Sequence, residues 1–307
     1  MDNQTIHRDF HILAFSAKAE KRILLFIMFF FMYVIGVSGN LLIITLVYLD
    51  KYLHTPMYLF LSNLSLLDLC LTTTIVPKLL DILLTGNNNI SFFQCFTQMY
   101  FYLMLGYSEI FILSSMAYDR SVAICSPLHY NLIMTNEKCI LILGIIWMTA
   151  LLNSTFCTYL IANVSLCHSK EIHNFYCDAK GLIKTACSDI SFRYLLLAET
   201  IFFILSPFLL IIISYIKIIY SILQINSVKS RRKTFSTCTS HITVVTLFFG
   251  SALCIYFRPS SEHLVKLDQV FYVIFTTVTP ILNPLIYSIR NKNIKTSIKR
   301  LFGCKFL

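Results

Sequence analysis

Apolar residues in this chain are gathered into long stretches, and charged residues are largely confined between them. The stretch from Ile23 to Leu49 holds no charged residue and exceeds the roughly 20 residues that cross the hydrocarbon of a bilayer as a helix. The full set of such stretches lies at about 23–49, 57–84, 95–120, 139–162, 194–223, 236–257 and 268–289. Backbone amides in lipid must bond within their own segment, and these runs are too long for barrel strands. The pattern predicts an all-α membrane protein, a seven-transmembrane helix bundle.

Composition supports this interpretation. Of the residues, 57% are hydrophobic and 13% are charged, whereas about a quarter are charged in soluble domains. The formal net charge of +10 would suggest nucleic acid as a partner of a soluble protein. Here we expect the lipid bilayer and no nucleic acid. The first 22 residues have no apolar core, so they do not resemble a cleavable signal peptide.

The basic residues near the span ends predict the orientation. A cluster that includes Lys229 and Arg232 precedes span six, and further Lys and Arg residues follow span seven, whereas cations in the opposite loops are mixed with acids. We therefore expect residues 1–22 to be an extracellular N-terminus, 23–289 the seven-span domain and 290–307 a cytoplasmic tail.

The tail has a helical pattern of its own. Apolar residues recur opposite basic ones, with Ile294, Ile298, Leu301 and Phe302 facing away from Lys295, Lys299 and Arg300. This predicts a short amphipathic helix after the seventh span, lying on the inner leaflet. A disordered basic tail is the alternative. Cys304 is a weak signal for lipid attachment.

Three glycosylation triplets fall on the predicted outer side, at Asn3, Asn89 and Asn163. Similar triplets at Asn63 and Asn153 lie inside spans, where no glycan fits, so triplets alone are weak evidence for sidedness.

Four of the 11 cysteines fall at or beyond the predicted outer surface, which is the oxidising side: Cys95, Cys167, Cys177 and Cys187. Four cysteines allow three pairings, and their number does not choose among them. We expect the other cysteines to be free thiols packed as small apolar groups.

Ionisable side chains within spans cost free energy and so indicate function. Asp68 in span two and Glu109 in span three lie midway along their helices, as does Asn40 in span one, and Asn283 lies in span seven. Such a group can share a proton or bind a small cation such as sodium. The alternative is a neutral hydrogen-bonded cluster that only joins helices. Glu199 is a third acid, in span five.

Span three ends in an adjacent acid and base, Asp119 and Arg120. The arginine can pair with the acid in one state and reach into an inner crevice in another, as a switch requires; an ordinary interfacial pair is the alternative. Pro207, Pro280 and Pro284 each remove an amide donor, so spans five and seven should bend or loosen there.

Several of these segments together resemble one family. The matching segments are Leu53 to Tyr58, Met116 to Cys125, Ser214-Tyr215, Lys233 to His241, and Pro280 to Asn291. They are similar to the signatures of odorant receptors, a branch of the rhodopsin-like G-protein-coupled receptors, and run over nearly the whole chain. Ser121 stands where that family usually has tyrosine, which puts the contact with the G protein in some doubt.

The resemblance implies a plasma-membrane receptor that binds small organic odorants. It would activate a stimulatory, olfactory-type heterotrimeric G protein and raise cyclic AMP. The resemblance also implies the disulfides Cys95–Cys177 and Cys167–Cys187. It favours a switch role for the Asp119-Arg120 pair, with partners on other spans: Tyr215, Asn283, Pro284 and Tyr287.

Counting from the family motifs places a ligand pocket in the outer half of the bundle. The expected lining is Tyr102, Leu103, Gly106 and Tyr107 on span three, Phe203 on span five, Ala252 and Tyr256 on span six, and Thr276 on span seven. This would be a largely apolar cavity with hydroxyls to orient a polar group. Glu199 lies near this level, where it would meet a cationic or hydroxyl ligand.

Three rival functions are less well supported. An amine receptor would require a carboxylate near Tyr102, and span three offers none there, while a peptide receptor would favour longer outer segments. A transporter or channel would also carry intramembrane acids, but no inverted repeat is evident. An enzyme is disfavoured because the loops contain no nucleophile with a base or metal-ligand spacing.

Overall fold

The computed structural model describes residues 9–15, 19–164, 170–185, 190–256, 265–290 and 292–302. Asn3, Cys167, Cys187 and Cys304 lie outside these ranges. The helices are α1 Ala19–Leu49, α2 Pro56–Thr85, α3 Phe92–Cys125, α4 Tyr130–Ile133, α5 Asn136–Ala162, α6 Ala179–Thr185, α7 Ile190–Leu223, α8 Val228–Tyr256, α9 Val265–Val273, α10 Thr279–Arg290 and α11 Lys292–Phe302. Between α9 and α10 the chain continues as a π-helix, Ile274–Val278.

The seven predicted spans correspond to α1, α2, α3, α5, α7, α8 and the continuous α9 to α10 segment. Within the described ranges, six of these are long and apolar enough to cross a membrane. The other is α3, which at 34 residues is long enough. It is the central helix and packs against α2, α5, α7 and α8, so its buried face carries polar groups such as Gln98, Ser108 and Glu109. The predicted seven-helix fold is confirmed.

The helices begin and end at recognisable sequence signals. At the start of α3, Ser91 and Gln94 form a capping box in which each side chain bonds the backbone N–H of the other. Thr135 caps α5 by accepting a hydrogen bond from the Lys138 N–H. The α2 helix starts at Pro56 and ends before Gly86, whose φ of 76° is in the left-handed region that favours glycine.

The first and last spans approach each other closely. A Cβ atom at Gly36 would lie 2.9 Å from Cγ1 of Ile281, so only glycine lets α1 pack this tightly against α10. One turn further along α1, the Asn40 amide donates to the carbonyl oxygens of Gly36 and Pro280, both at 3.0 Å. This contact partners a carbonyl of the seventh span.

The seventh span is irregular next to its first proline, as the sequence predicts. In the π-helix the N–H of Thr279 donates to the carbonyl of Ile274, five residues earlier, and the Thr279 hydroxyl bonds the same oxygen at 2.9 Å. Since Pro280 has no N–H to continue a regular ladder, the wider turn accommodates the break.

One end of the bundle carries a small sheet and a disulfide. Strand β1 (Phe10–Ile12) pairs antiparallel with β2 (Asn89–Ile90) and parallel with β3 (Glu171–Ile172). The Cys95–Cys177 bond joins the start of α3 to the segment after β3, as the resemblance implies. We call this the disulfide end, and the opposite end, where α3 finishes, the Arg120 end. The strands were not predicted, because two or three residues are too few to show an alternating pattern.

At the Arg120 end, α11 has the predicted amphipathic character. Ile294 and Ile298 are buried, and the Arg300 guanidinium bonds both carboxylate oxygens of Asp50, at 2.9 and 3.1 Å. It also lies 4.2 Å from the centre of the Tyr52 ring. These contacts hold α11 against the loop between α1 and α2.

Candidate functional site

A cavity lies among α3, α5, α6, α7, α8 and the π-helix, towards the disulfide end. Its lining is Tyr102, Leu103, Gly106, Tyr107, Ile110, Cys157, Ile161, Ala179, Ile183, Leu196, Glu199, Thr200, Ile204, Ala252, Tyr256 and Phe275. The cavity volume is about 60 Å³, and by the same measure a single water needs roughly 10–15 Å³. The cavity therefore has room for a small organic molecule.

The predicted ligand-binding residues line this cavity except two. Thr276 is fully buried, and its hydroxyl bonds the carbonyl of Tyr272 at 2.8 Å. Phe203 packs instead on Tyr107, with ring centres 5.2 Å apart. Phe275 occupies the wall near the predicted place of Thr276, because the π-helix changes the phase of the span relative to a regular helix.

Two tyrosine hydroxyls meet across the cavity. The Tyr102 and Tyr256 oxygens are 3.1 Å apart, which joins α3 to α8. Tyr176, from the segment after β3, packs on Tyr102 with ring centres 4.9 Å apart. The cavity thus has an aromatic end with hydroxyls able to donate to or accept from a polar group.

The acid Glu199 forms a second polar region of the wall, on α7. Its carboxylate accepts a hydrogen bond from the Asn153 amide of α5 and a long one, 3.4 Å, from the Thr200 hydroxyl. Tyr107 and Cys157 also lie next to this carboxylate. The sequence alone did not reveal Asn153 as its partner, because the contact depends on how α5 and α7 pack.

A loop closes the cavity at the disulfide end. The amide of Cys177 donates to the Gln98 side chain at 2.9 Å. The buried Asp178 carboxylate accepts hydrogen bonds from the Tyr272 hydroxyl at 2.9 Å and from the Asn174 amide at 3.3 Å. Burial raises the pKa of Asp178 above its ordinary value, although these hydrogen bonds and the charge of Lys180 oppose the shift. Sequence reasoning missed this network, which positions α6 and hence the cavity wall.

Deeper in the bundle, the predicted acid pair comes together. Asn283 donates to one oxygen of Asp68 at 2.9 Å, and Glu109 lies beside Asp68. The second Asp68 oxygen, both Glu109 oxygens and the side-chain oxygens of Asn283 and Asn40 are buried without a hydrogen-bond donor. These oxygen atoms suit a proton or a hard cation such as sodium. Within the described ranges there is no group of three or more His, Cys, Asp and Glu side chains that would hold a metal.

At the Arg120 end, two of the predicted switch residues, Tyr215 and Tyr287, come together with Arg120, whereas Asn283 bonds Asp68 instead. Arg120 lies near Tyr215, His241 and Tyr287, which come from three other helices, and its Nε is buried without a partner. The Asp119 carboxylate accepts a 2.8 Å hydrogen bond from the Tyr130 hydroxyl, and the described ion pairs do not join it to Arg120.

His241 and Tyr130 were not predicted to take part. Tyr215 and His241 are joined at 2.6 Å between the tyrosine hydroxyl and Nδ1, and Tyr130 is the partner of Asp119. His241 lies in a motif that the sequence singled out, but no periodicity links it to α7. Pro284 is buried within α10, where it packs 3.1 Å from the position of a Cβ on Gly39.

The predicted glycan acceptors that can be located are exposed and lie at the disulfide end. Asn89 is in β2, and Asn163 follows α5. Asn3 falls outside the described residues.

Comparison with known proteins agrees with this geometry. A family model described as olfactory receptor matches residues 29–305. Olfactory receptor 1L6 of Homo sapiens is 45% identical over 293 residues, which are 95% of this chain and 84% of that protein. Olfactory receptor 1f45 of Rattus norvegicus is 42% identical over 305 residues, 99% of this chain and 97% of that protein. The crystal structure of squid rhodopsin superposes with a TM-score of 0.74 at 18% identity, covering 95% of this chain and 90% of that one.

The squid rhodopsin likeness establishes the fold, and the family match with close relatives over almost the full length establishes the family. This multi-pass membrane protein belongs to the olfactory receptor family, whose members are signalling receptors and not enzymes.

Proposed function

We propose that this receptor binds small organic odorants in the cavity at the disulfide end and activates a stimulatory, olfactory-type heterotrimeric G protein, raising cyclic AMP. The observation that carries the proposal is the mainly apolar cavity with two polar regions, one at the Tyr102–Tyr256 pair and one at Glu199. Small-molecule sites usually have this character, with a few polar groups that orient the ligand.

In this proposal the receptor lies in the plasma membrane. Its disulfide end faces outward and its Arg120 end faces the cytoplasm. The Cys95–Cys177 bond is consistent with an oxidising exterior, and the exposed Asn89 and Asn163 are accessible to glycosylation there. The basic residues of α8, including Arg231 and Arg232, lie at the other end, as expected for a cytoplasmic face.

The cavity and the switch residues communicate along α3. Gly106 and Arg120 are separated by 14 positions on this helix, or about 21 Å at 1.5 Å per residue. An odorant that binds better when α7, α8 and the seventh span are in their active arrangement shifts a pre-existing equilibrium. The Arg120 end then opens for the G protein.

The test is a chemically diverse odorant panel in cells that carry a cyclic AMP reporter. Arg120→Ala should abolish the odorant response while the receptor still reaches the cell surface, and direct stimulation of adenylyl cyclase controls for the reporter. A full odorant response from this variant would contradict the mechanism. Substituting the G-protein subunit in the same cells tests the stimulatory type, since an inhibitory subunit should not restore the signal.

We also propose that Asp68, Glu109 and Asn283 hold a sodium ion or share a proton. The support is the set of buried oxygens in this cluster that lack a donor, because buried polar groups are nearly always partnered. A bound sodium ion would compensate one of the two carboxylate charges, and its contacts with both side chains would join α2 to α3.

Replacing sodium with N-methylglucamine at constant ionic strength should change odorant potency in the native receptor but not in Glu109→Gln. Retention of the full sodium effect in that variant would exclude the sodium assignment. A shared proton would instead make the potency depend on pH and not on sodium.

A further inference from the structure

We propose that Glu199 makes the cavity selective for small organic amines in their protonated form. This inference rests on the proposed odorant-binding function and adds the chemical class of the ligand. Among the described residues that line the cavity, Glu199 is an acid and there is no Lys, Arg or His.

Where the structure describes the chain, the side chains that contact Glu199 are all neutral. Asn153 donates an amide hydrogen, Thr200 a hydroxyl, and Tyr107 and Cys157 lie alongside. Glu199 is half-buried in the cavity wall, and neutral groups of this kind hydrogen-bond a carboxylate but supply no counter-charge. A ligand ammonium group supplies that counter-charge.

The shape and walls of the cavity suit the rest of such a ligand. An N–H of the ammonium would bond a Glu199 oxygen in a charge-assisted hydrogen bond, which is stronger than a neutral one. The rings of Tyr107, Tyr102 and Phe275 also line the cavity, and the face of an aromatic ring attracts a cation. The apolar remainder, including Leu103 and Ile204, would cover a short alkyl or aryl group.

The sequence disfavoured an amine ligand for lack of an acid on span three, but the structure provides an acid from another helix. Span three carries no carboxylate near Tyr102, but the packing of α7 brings Glu199 into the cavity that Tyr102 lines. The acid therefore approaches from the fifth span and not from the third.

The experiment compares amines with alcohols of the same carbon skeleton, cyclohexylamine with cyclohexanol and benzylamine with benzyl alcohol, in the cyclic AMP assay. The native receptor should respond to the amines at lower concentrations than to the alcohols. Glu199→Gln preserves the side-chain shape and an oxygen for Asn153, and should raise the half-maximal amine concentration at least about tenfold, with little change for neutral odorants. Glu199→Asp should retain part of the amine response.

Glu171→Gln is the matched control, because it removes an exposed acid from β3, away from the cavity, and should leave both responses unchanged. Equal losses for amine and alcohol in Glu199→Gln would overturn the proposal in favour of hydroxyl recognition. An unchanged amine response, or a native receptor that responds to neutral odorants but to no amine, would also overturn it and leave the odorant-receptor function intact. A receptor that reaches the surface yet responds to no odorant would contradict the proposed function itself.

Discussion

The two halves of the bundle treat their buried polar groups differently. Towards the disulfide end the polar side chains are mostly partnered: Tyr102 with Tyr256, Asp178 with Tyr272, and Glu199 with Asn153. From the middle of the bundle towards the Arg120 end, buried atoms of Asn40, Asp68, Glu109, Asn283, Arg120, His241 and Tyr287 have no hydrogen-bond partner, whereas towards the disulfide end only Thr158 and Tyr176 are so placed among the described residues.

The difference matches the roles that we propose for the two halves, ligand recognition at the disulfide end and switching at the Arg120 end. A recognition site benefits from groups that are already oriented, since ordering them on binding costs free energy. A switch needs groups whose best partners lie in a second arrangement. The spare hydrogen-bonding capacity around Arg120 is therefore where we expect contacts to change on activation.

The largest expected effect on stability comes from removing the disulfide at the disulfide end. Cys177→Ser should destabilise the receptor by about 2–4 kcal/mol, because the bond closes a loop across 82 positions and holds the segment that covers the cavity. Surface labelling and the thermal unfolding temperature measure this. Cys254→Ser, at a free and half-buried thiol of α8, is the control, and equal effects at the two sites would contradict the prediction.

Two tyrosines at the Arg120 end, Tyr215 and Tyr287, provide a matched pair of substitutions. Tyr215→Phe removes the partner of His241 Nδ1 and should cost about 1–3 kcal/mol of stability. Tyr287→Phe removes a buried hydroxyl with no partner, so stability should be unchanged or higher while odorant-driven signalling falls. Unfolding temperatures in detergent, alongside the cyclic AMP response, separate the two effects. A large loss of stability in Tyr287→Phe would show that its hydroxyl is already bonded.

The pH dependence of stability should differ at the two ends. The pKa of Asp178 is raised by burial from its ordinary 3.8, so the folded protein binds this proton more tightly than the unfolded chain. Its contribution is fully present below pH 3.8 and is lost as the pH rises through the folded value. Asp178→Asn should remove this part of the slope in unfolding temperature against pH. An identical slope in the variant would show that Asp178 does not titrate there.

Asp50, at the Arg120 end, should make the smallest contribution to the pH dependence of stability, and its sign should be opposite to that of Asp178. Burial would raise its pKa, but the neighbouring Ser297 hydroxyl, the Tyr52 amide and the Arg300 charge together hold it below 3.8. Its contribution is present above that value and is lost as the pH falls through the folded pKa. Asp50→Asn should flatten only the acidic limb of the stability curve. The effect is modest because 42% of the Arg300 side chain is exposed.

The spans, the amphipathic helix and the loosening at Pro280 could be predicted because each depends on a local pattern: apolar length, helical spacing or a missing N–H. That Cys95 and Cys177 lie at the same end of the bundle followed from the span boundaries, whereas their pairing came from the family resemblance. Most of the cavity wall could be predicted because Tyr102, Leu103 and Gly106 share one face of α3.

Contacts between helices could not be predicted in this way. Asn153 with Glu199, Tyr215 with His241 and Tyr130 with Asp119 depend on how elements pack, and a single sequence contains no period that relates them. Ala179 and Ile183 enter the cavity on α6, which lies in a loop without a strong hydrophobic pattern.

The π-helix of the seventh span has a mechanical consequence. Each residue of a regular helix turns the chain by about 100°, and the wide turn at Ile274–Val278 accommodates one residue more than an α-helical turn. Tightening that turn would swivel Asn283 and Tyr287 around the helix axis while Tyr272, on its other side, stayed bonded to Asp178. The extra residue of the π-helix therefore allows the part of the span that faces Arg120 to rotate relative to the part that is bonded to the covering loop.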